Sequence, residues 1–398
     1  MALFAFTALV GCSGPFRLGA LLSSPPLLIP SFDTVRYYPL DPVAPSLPDL
    51  TQAYLKESPG NYQSVDDGTR VYNYLALSGG GSNGAFGAGL LNGWTVRGDR
   101  PSFKIVTGVS TGALSAPFAF LGPEYDDFLR EIYTTVDTHQ IFLSRALLSL
   151  IWADSLTDNT PLRRIMDRYV TTTMLERIAE EHSKGRRIFV LTSDLDREQP
   201  VIWDLGAIAS SNSPHRLELF KNVLLASAAI PTVFPPVFFK FSEGGKMYDE
   251  MHVDGAIYAQ SFLVINRIDF RRMVEAAHPD WVVGTQHLVF VIRNGRLEPQ
   301  VKKVYRSLRS IATRTVSTMM KVSGINDLYR MYIGDLKGNY DLNYISIPGD
   351  YEPITERPFD REEMNQLYRL GYEMALKGVK WQSGLPKTIR DDLESSQN

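Results

Sequence analysis

Cysteine is almost absent from this sequence. Cys12 stands alone among 398 residues, so an intrachain disulfide is impossible and a cysteine-built structural zinc site is excluded. An excess of charge of one sign is also missing. Lys plus Arg total 41 and Asp plus Glu total 44, a formal net charge of −3, so nothing draws the whole chain toward nucleic acid. No apolar run reaches the roughly 20 residues that span a bilayer, which excludes a polytopic membrane protein. Internal repeats and low-complexity tracts are lacking too. What is present is an ordinary globular composition, 44% hydrophobic and 21% charged. A single core stops growing near roughly 250–300 residues, so one large domain with appendages, or two domains, is expected.

Residues Met1 to Gly11 are almost wholly apolar. The stretch has the length of a signal-peptide core and is too short to span a membrane. Leu9-Val10-Gly11-Cys12 resembles the lipobox of bacterial lipoproteins. That resemblance implies cleavage before Cys12 and lipidation of its sulfur. It implies a chain anchored to a membrane surface of the bacterial cell envelope, on the periplasmic or outer-membrane face, since two or more acyl chains hold stably. Nine of the 24 prolines then fall between Pro15 and Pro59. Such a segment cannot be a regular helix and favours extended backbone. Residues 13–70 therefore read as a tether and wrapping arm, with Phe32, Tyr37, Tyr38 and Leu40 available to pack on a domain.

From Val71 the texture changes. Val71 to Leu77 reads as a buried strand and Ala85 to Trp94 as the helix after it. Phe103 to Thr107 and Ala113 to Leu121 repeat that pair. Arg187 to Thr192 and Gln286 to Ile292 are further apolar strands. Strands alternating with helices predict an α/β domain, three layers deep, around a mainly parallel sheet. That domain is expected over 71–398. Its last element is an amphipathic helix over 361–380, where Met364, Leu367, Tyr368, Gly371, Met374 and Ala375 recur at helical spacing. Lys302, Arg306 and Arg309 would share one face of another helix, opposite Val301, Val304, Leu308 and Ile311. Its basic side is either simply solvated or set against anionic lipid headgroups.

The sharpest chemical signal is Gly108-Val109-Ser110-Thr111-Gly112, which fits G-x-S-x-G between a strand and a helix. A nucleophile there sits on a sharp turn, and Gly108 and Gly112 remove the Cβ clashes that the turn would create. The second signal is Ser78 to Gly84, with Gly79, Gly80 and Gly81 consecutive. Glycine-rich backbone opening a helix presents N–H groups to an anion. Two uses compete, an oxyanion hole or a phosphate cradle. A dinucleotide site would require an acidic ribose ligand about 20 residues on, and the next strand ends instead in Gly108-Val109-Ser110. The third signal is Asp254-Gly255, either a turn aspartate or the base that takes the serine proton. A histidine base, His252, His278 or His287, is the rival. A free aspartate with a pKa near 3.9 is a poor base, so Asp254 would serve only if desolvated and bonded to the serine.

Taken in order, these segments resemble the patatin-like phospholipase family. The family carries a glycine-rich oxyanion loop, a G-x-S-x-G nucleophile and a D-G-[GA] aspartate. Ser78 to Gly84, Gly108 to Gly112 and Asp254 to Ala256 match in that order, and the likeness runs from about Val71 to Ile347. Thr192 to Leu195 and Ala226 to Val237 look familiar as well, the second as a wall of the acyl site. The resemblance implies a Ser110–Asp254 dyad without a catalytic histidine. It also implies an oxyanion hole around Gly79, Gly80 and Gly81, supported by Gly84, Gly108, Gly112 and Gly255. The reaction it implies is hydrolysis of phospholipid or other acyl-ester lipids through an acyl-enzyme, needing no metal and no organic cofactor. Two positions depart from the family. Ser78 stands where an aspartate leads the loop, and Asn83 where a basic residue is usual. They motivate a second reading, a membrane-anchored protein that grips acyl lipids with little turnover.

Overall fold

A computed structural model describes residues 32, 35–40, 50–58, 61–64, 68–135, 143–144, 157–158, 160–231, 233–243, 246–263, 270–279, 285–301, 303–355 and 357–385. Cys12 and its lipobox lie outside the described residues.

In chain order the arm supplies strand β1 (Arg36–Tyr37), helix α1 (Leu50–Leu55) and strand β2 (Gln63–Ser64). Next come β3 (Arg70–Leu77), α2 (Gly84–Arg97), β4 (Ile105–Val109), α3 (Thr111–Leu121) and α4 (Asp126–Thr135). A small hairpin of β5 (Leu143–Ser144) and β6 (Thr157–Asp158) precedes α5 (Thr160–Tyr169) and α6 (Thr172–Ser183). Then follow β7 (Arg187–Asp194), β8 (Gln199–Asp204), α7 (Leu205–Ser210) and α8 (Arg216–Ser227). The rest is β9 (Val237–Glu243), β10 (Lys246–Asp254), α9 (Phe270–Ala277), β11 (Thr285–Arg293), α10 (Leu308–Leu336), β12 (Asp341–Ser346) and α11 (Arg361–Leu376).

The central sheet is mixed, with a parallel centre. Strands β7, β4, β3, β11 and β12 lie side by side and parallel. Antiparallel partners finish the margins: β8 on β7, β1 on β8, β2 on β3, and the β9–β10 pair joined to the far end of β7. The central strands are apolar throughout because both faces are covered. Alternation decides which face each side chain serves. Leu75, Leu77, Val106, Ile188 and Val190 join one core with α2, α3, α8 and α11. Tyr74, Ala76, Ile105, Phe189 and Leu191 join the other with α1, α9 and α10. Helices on both faces of one sheet make the three layers that the sequence predicts.

The arm is partly docked. Arg36 and Tyr37 pair with Trp203 and Ile202 at the sheet edge. The buried Arg36 guanidinium bonds the Glu250 carboxylate, which lies beside Asp194 and His252. Arg197 Nε stands 3.7 Å from Asp194 and 3.9 Å from Glu250. Asp194, Glu250 and His252 are ligand types for a metal, but the two guanidiniums already answer the carboxylates.

The basic helix expected from residue 301 is not formed as read. Helix α10 begins only at Leu308, because Ser307 adopts extended backbone and its Oγ accepts from Ser310 N–H as an N-cap. Lys303 and Arg306 precede that cap, so they share no helical face with Arg309, and Lys302 lies outside the described residues. Among the described residues no helix is long and apolar enough to cross a membrane.

Candidate active site

Sheet register brings the serine and aspartate together. Val109, the last residue of β4, is paired with Leu191 of β7. One step along β7, Thr192 is paired with Asp254, the last residue of β10. The long strand β7 thus serves β4 with its first half and β10 with its second, along one edge. Ser110 leaves β4 where Asp254 ends β10. The result is a hydrogen bond of 2.6 Å from Ser110 Oγ to Asp254 Oδ2. Both side chains are buried, at 4% and 2% exposure.

Ser110 sits at φ 55°, ψ −125°, a conformation side chains rarely adopt. Such strain costs about 1–3 kcal/mol and persists only when its surroundings enforce it. They do so on several sides. Ser110 N–H donates to Ser227 Oγ at 3.0 Å, and Ser227 Oγ donates to the Leu191 carbonyl at 2.7 Å. The Ser110 carbonyl accepts from Ala113 N–H at 2.9 Å, opening α3. A Cβ on Gly112 would stand 2.3 Å from the Leu77 carbonyl oxygen, and one on Gly108 would stand 2.5 Å from Gly112 O. Gly84 and Gly255 are equally confined, against Thr111 Oγ1 and Leu191 O.

Asp254 is held by its backbone as well. Its N–H donates to the Ala229 carbonyl at 3.0 Å, and its carbonyl accepts from Ser193 Oγ at 3.0 Å. Oδ1 accepts Ala256 N–H at 2.8 Å, leaving Oδ2 for the serine. Burial pushes its carboxyl up to about 7, against the smaller downward pull of the Ser110 and Ala256 bonds. Among the described residues, the hydrogen bonds of Ser110 and Asp254 involve no histidine. His252 Nδ1 meets Thr192 Oγ1 at 2.9 Å, His287 Nδ1 meets Tyr74 OH at 2.8 Å, and His278 Nε2 meets the Tyr54 carbonyl at 2.8 Å.

The glycine loop lies against the serine. A Cβ on Gly79 would be 3.3 Å from Ser110 Cβ. The three glycines are not equivalent. Gly79 N–H donates to the Gln260 carbonyl at 2.8 Å, so it is already engaged. The N–H groups of Gly80 and Gly81 have no hydrogen-bond partner among the described residues. Gly81 holds φ +58°, in the left-handed region. The loop is clamped by Asn294, beyond the end of β11. Asn294 N–H donates to Ser78 Oγ at 2.8 Å, its Nδ2 donates to the Ser78 carbonyl at 2.9 Å, and its Oδ1 accepts Gly87 N–H at 3.1 Å. The serine in place of the family's aspartate is therefore a bonded part of the clamp.

An apolar cavity opens at Ser110 and Gly81, lined by Leu114, Phe118, Ile132, Met166, Leu224 and Phe234 among others. Ala228 and Ile230, from the expected 226–237 wall, also line it. Asn294 and Gln260 escape the sequence reading, and Ser227 falls in the expected 226–237 stretch without its bond to Ser110 being foreseen. Their one visible signal is a polar residue where a buried segment ends, and many turns share it.

Residues 75–263 match the patatin-like phospholipase family. No curated protein matches the chain. Among solved structures, VipD from Legionella pneumophila is similar over 80% of this chain and 69% of its own, at 13% identity and a TM-score of 0.39.

Proposed function

Because this chain belongs to the patatin-like phospholipase family through residues 75–263, we propose that it hydrolyses acyl esters of phospholipids or lysophospholipids with Ser110 and Asp254. The observation that carries the reading is the 2.6 Å bond between two buried side chains at the mouth of an apolar cavity. An acyl chain in that cavity places its ester carbonyl beside Ser110 Oγ.

The chemistry then runs on protein groups. Asp254 Oδ2 takes the Ser110 proton as Oγ attacks the carbonyl carbon. The oxygen of the tetrahedral intermediate accepts from the N–H groups of Gly80 and Gly81, at the positive end of a helix. Collapse expels the alcohol, which receives the proton from Asp254. Water then attacks the acyl-serine, Asp254 takes a proton from it, and the fatty acid leaves as Ser110 regains its own. A carboxyl near 7 suits both halves, since it accepts and returns a proton at neutral pH. We also propose that Cys12 carries the lipid anchor at the cell envelope. Palmitate-analogue labelling lost in Cys12→Ala supports that, and equal labelling refutes it.

The test is hydrolysis of short and medium p-nitrophenyl esters by protein starting at Ser13. Ser110→Ala and Asp254→Asn should each lose about 10³-fold or more in kcat with folding intact. Loss in Ser110→Ala alone would move the base elsewhere.

A further inference from the structure

The glycine loop has two sides. Gly81 faces the apolar cavity, whereas Gly79 and Gly80 line a second, polar one of about 290 Å³. A single water needs only about 10–15 Å³ by the same measure, so a much larger group has room. Asn83, Arg293, Arg296 and Lys321 also line it.

Arg293 is the unusual member. It ends β11, is 5% exposed, and has no carboxylate within ion-pair distance among the described residues. Its Nε has no hydrogen-bond partner, and Nη2 reaches only the Lys321 carbonyl at 3.3 Å. Asp327 stabilises its charge from further off, but that carboxylate is bound by the Gln260 and Ser261 N–H groups. The fold makes room for the guanidinium. A Cβ on Gly324 of α10 would fall 1.6 Å from Nη1. Burial, then the neighbouring Arg314, Arg293 and Arg296 guanidiniums, push the Lys321 ammonium toward its neutral form. The carboxylate lining the cavity, Glu363, accepts from Tyr351 OH and Ile354 N–H, each at 2.7 Å. A buried guanidinium without its anion is a costly arrangement unless a ligand completes it.

We propose that this cavity binds a phosphate group, with Arg293 as the buried contact and Lys321 and Arg296 at its wall, and that the phosphate is the headgroup of the lipid substrate. The assignment of that phosphate to substrate rests on the hydrolase reading above. The loop would then stand between the two halves of one molecule, acyl chain on one side and phosphate on the other. Asn83 occupies the family's usual basic position, and the charge instead comes from β11 and α10.

Binding is measured by calorimetry on the full chain carrying Ser110→Ala. Glycerol 3-phosphate and inorganic phosphate are titrated into it and into the same chain with Arg293→Gln or Lys321→Gln added. Glycerol 3-phosphate should bind the first protein, and each cavity change should weaken it tenfold or more. No binding, or equal binding by all three, overturns the proposal. Lys321→Gln decides the matter if Arg293→Gln does not fold. In the active chain, the ratio of kcat/KM for lysophosphatidylcholine over a monoacylglycerol of equal chain length should fall tenfold in both variants. An unchanged ratio with inorganic phosphate still bound assigns the cavity to free phosphate and overturns the headgroup role. Arg293-dependent binding by a chain that hydrolyses no ester removes the hydrolase reading and keeps the anion site. Hydrolysis without anion binding does the reverse.

Discussion

Under the proposed mechanism, Asp254 couples activity to stability through one proton. Its carboxyl must be ionised to accept the serine proton, so kcat/KM on a neutral ester should rise with pH and level off above about 7. Stability should run the other way. Below the ordinary aspartate range both folded and unfolded chains hold the proton. Between about 3.8 and about 7 the unfolded chain ionises first, so folding loses free energy as pH rises, and above about 7 that loss is complete. Asp254→Asn should therefore raise the Tm at pH 8, by up to about 4 kcal/mol in stability, while removing activity. A variant less stable than the parent at pH 8 would contradict this account. Ser110 and Asp254, which the fold bonds to each other, were legible as candidates in the sequence because each sits in a recognisable motif. Arg293 and Asn294 were not, since a polar residue at a strand end carries no spacing of its own.

At the scale of elements, α2 and α11 are packed closer than side chains allow. A Cβ on Gly89 would lie 1.9 Å from the Tyr368 carbonyl oxygen, one on Gly93 2.4 Å from Tyr372 O, and one on Gly371 2.2 Å from Phe86 O. Alanine for glycine inside a helix usually gains about 0.5–1 kcal/mol. Here Gly89→Ala should instead cost more than about 3 kcal/mol, because backbone rather than a flexible side chain must move. Urea unfolding distinguishes the signs. The C-terminal helix was readable from its apolar spacing, although the glycines of α2 hid their purpose. The arm was only half readable. Its prolines announce extended chain, but the docking of Arg36 on Glu250, 214 residues away, leaves no local pattern. Burial alone would push the Glu250 carboxyl up, but His252 and the Arg36 guanidinium beside it hold it down to about 2. Arg36→Ala should destabilise the fold by about 3 kcal/mol, because the buried carboxylate loses its bonded cation and keeps Arg197 Nε only at 3.9 Å. A thermal shift below about 1 kcal/mol in equivalent stability would show that the strap is dispensable.

Across the whole molecule, the parallel order of the sheet follows from strands too apolar to face water on either side, and it was legible for that reason. The antiparallel margins were not, because short edge strands such as β1 and β2 give little alternation to read. The place of β11 has the widest consequence. It enters the sheet between β3 and β12, after the last residue of the family match, and pairs with β3 from Thr285 to Ile292. The unit of descent and the unit of folding therefore have different limits. A fragment trimmed to 75–263 would retain Ser110 and Asp254, yet keep only Leu75 to Leu77 of β3, with no β11 beside them, and strip α2 of α11. Such a fragment should be recovered as aggregate, since an uncovered apolar strand pairs with whatever strand it meets.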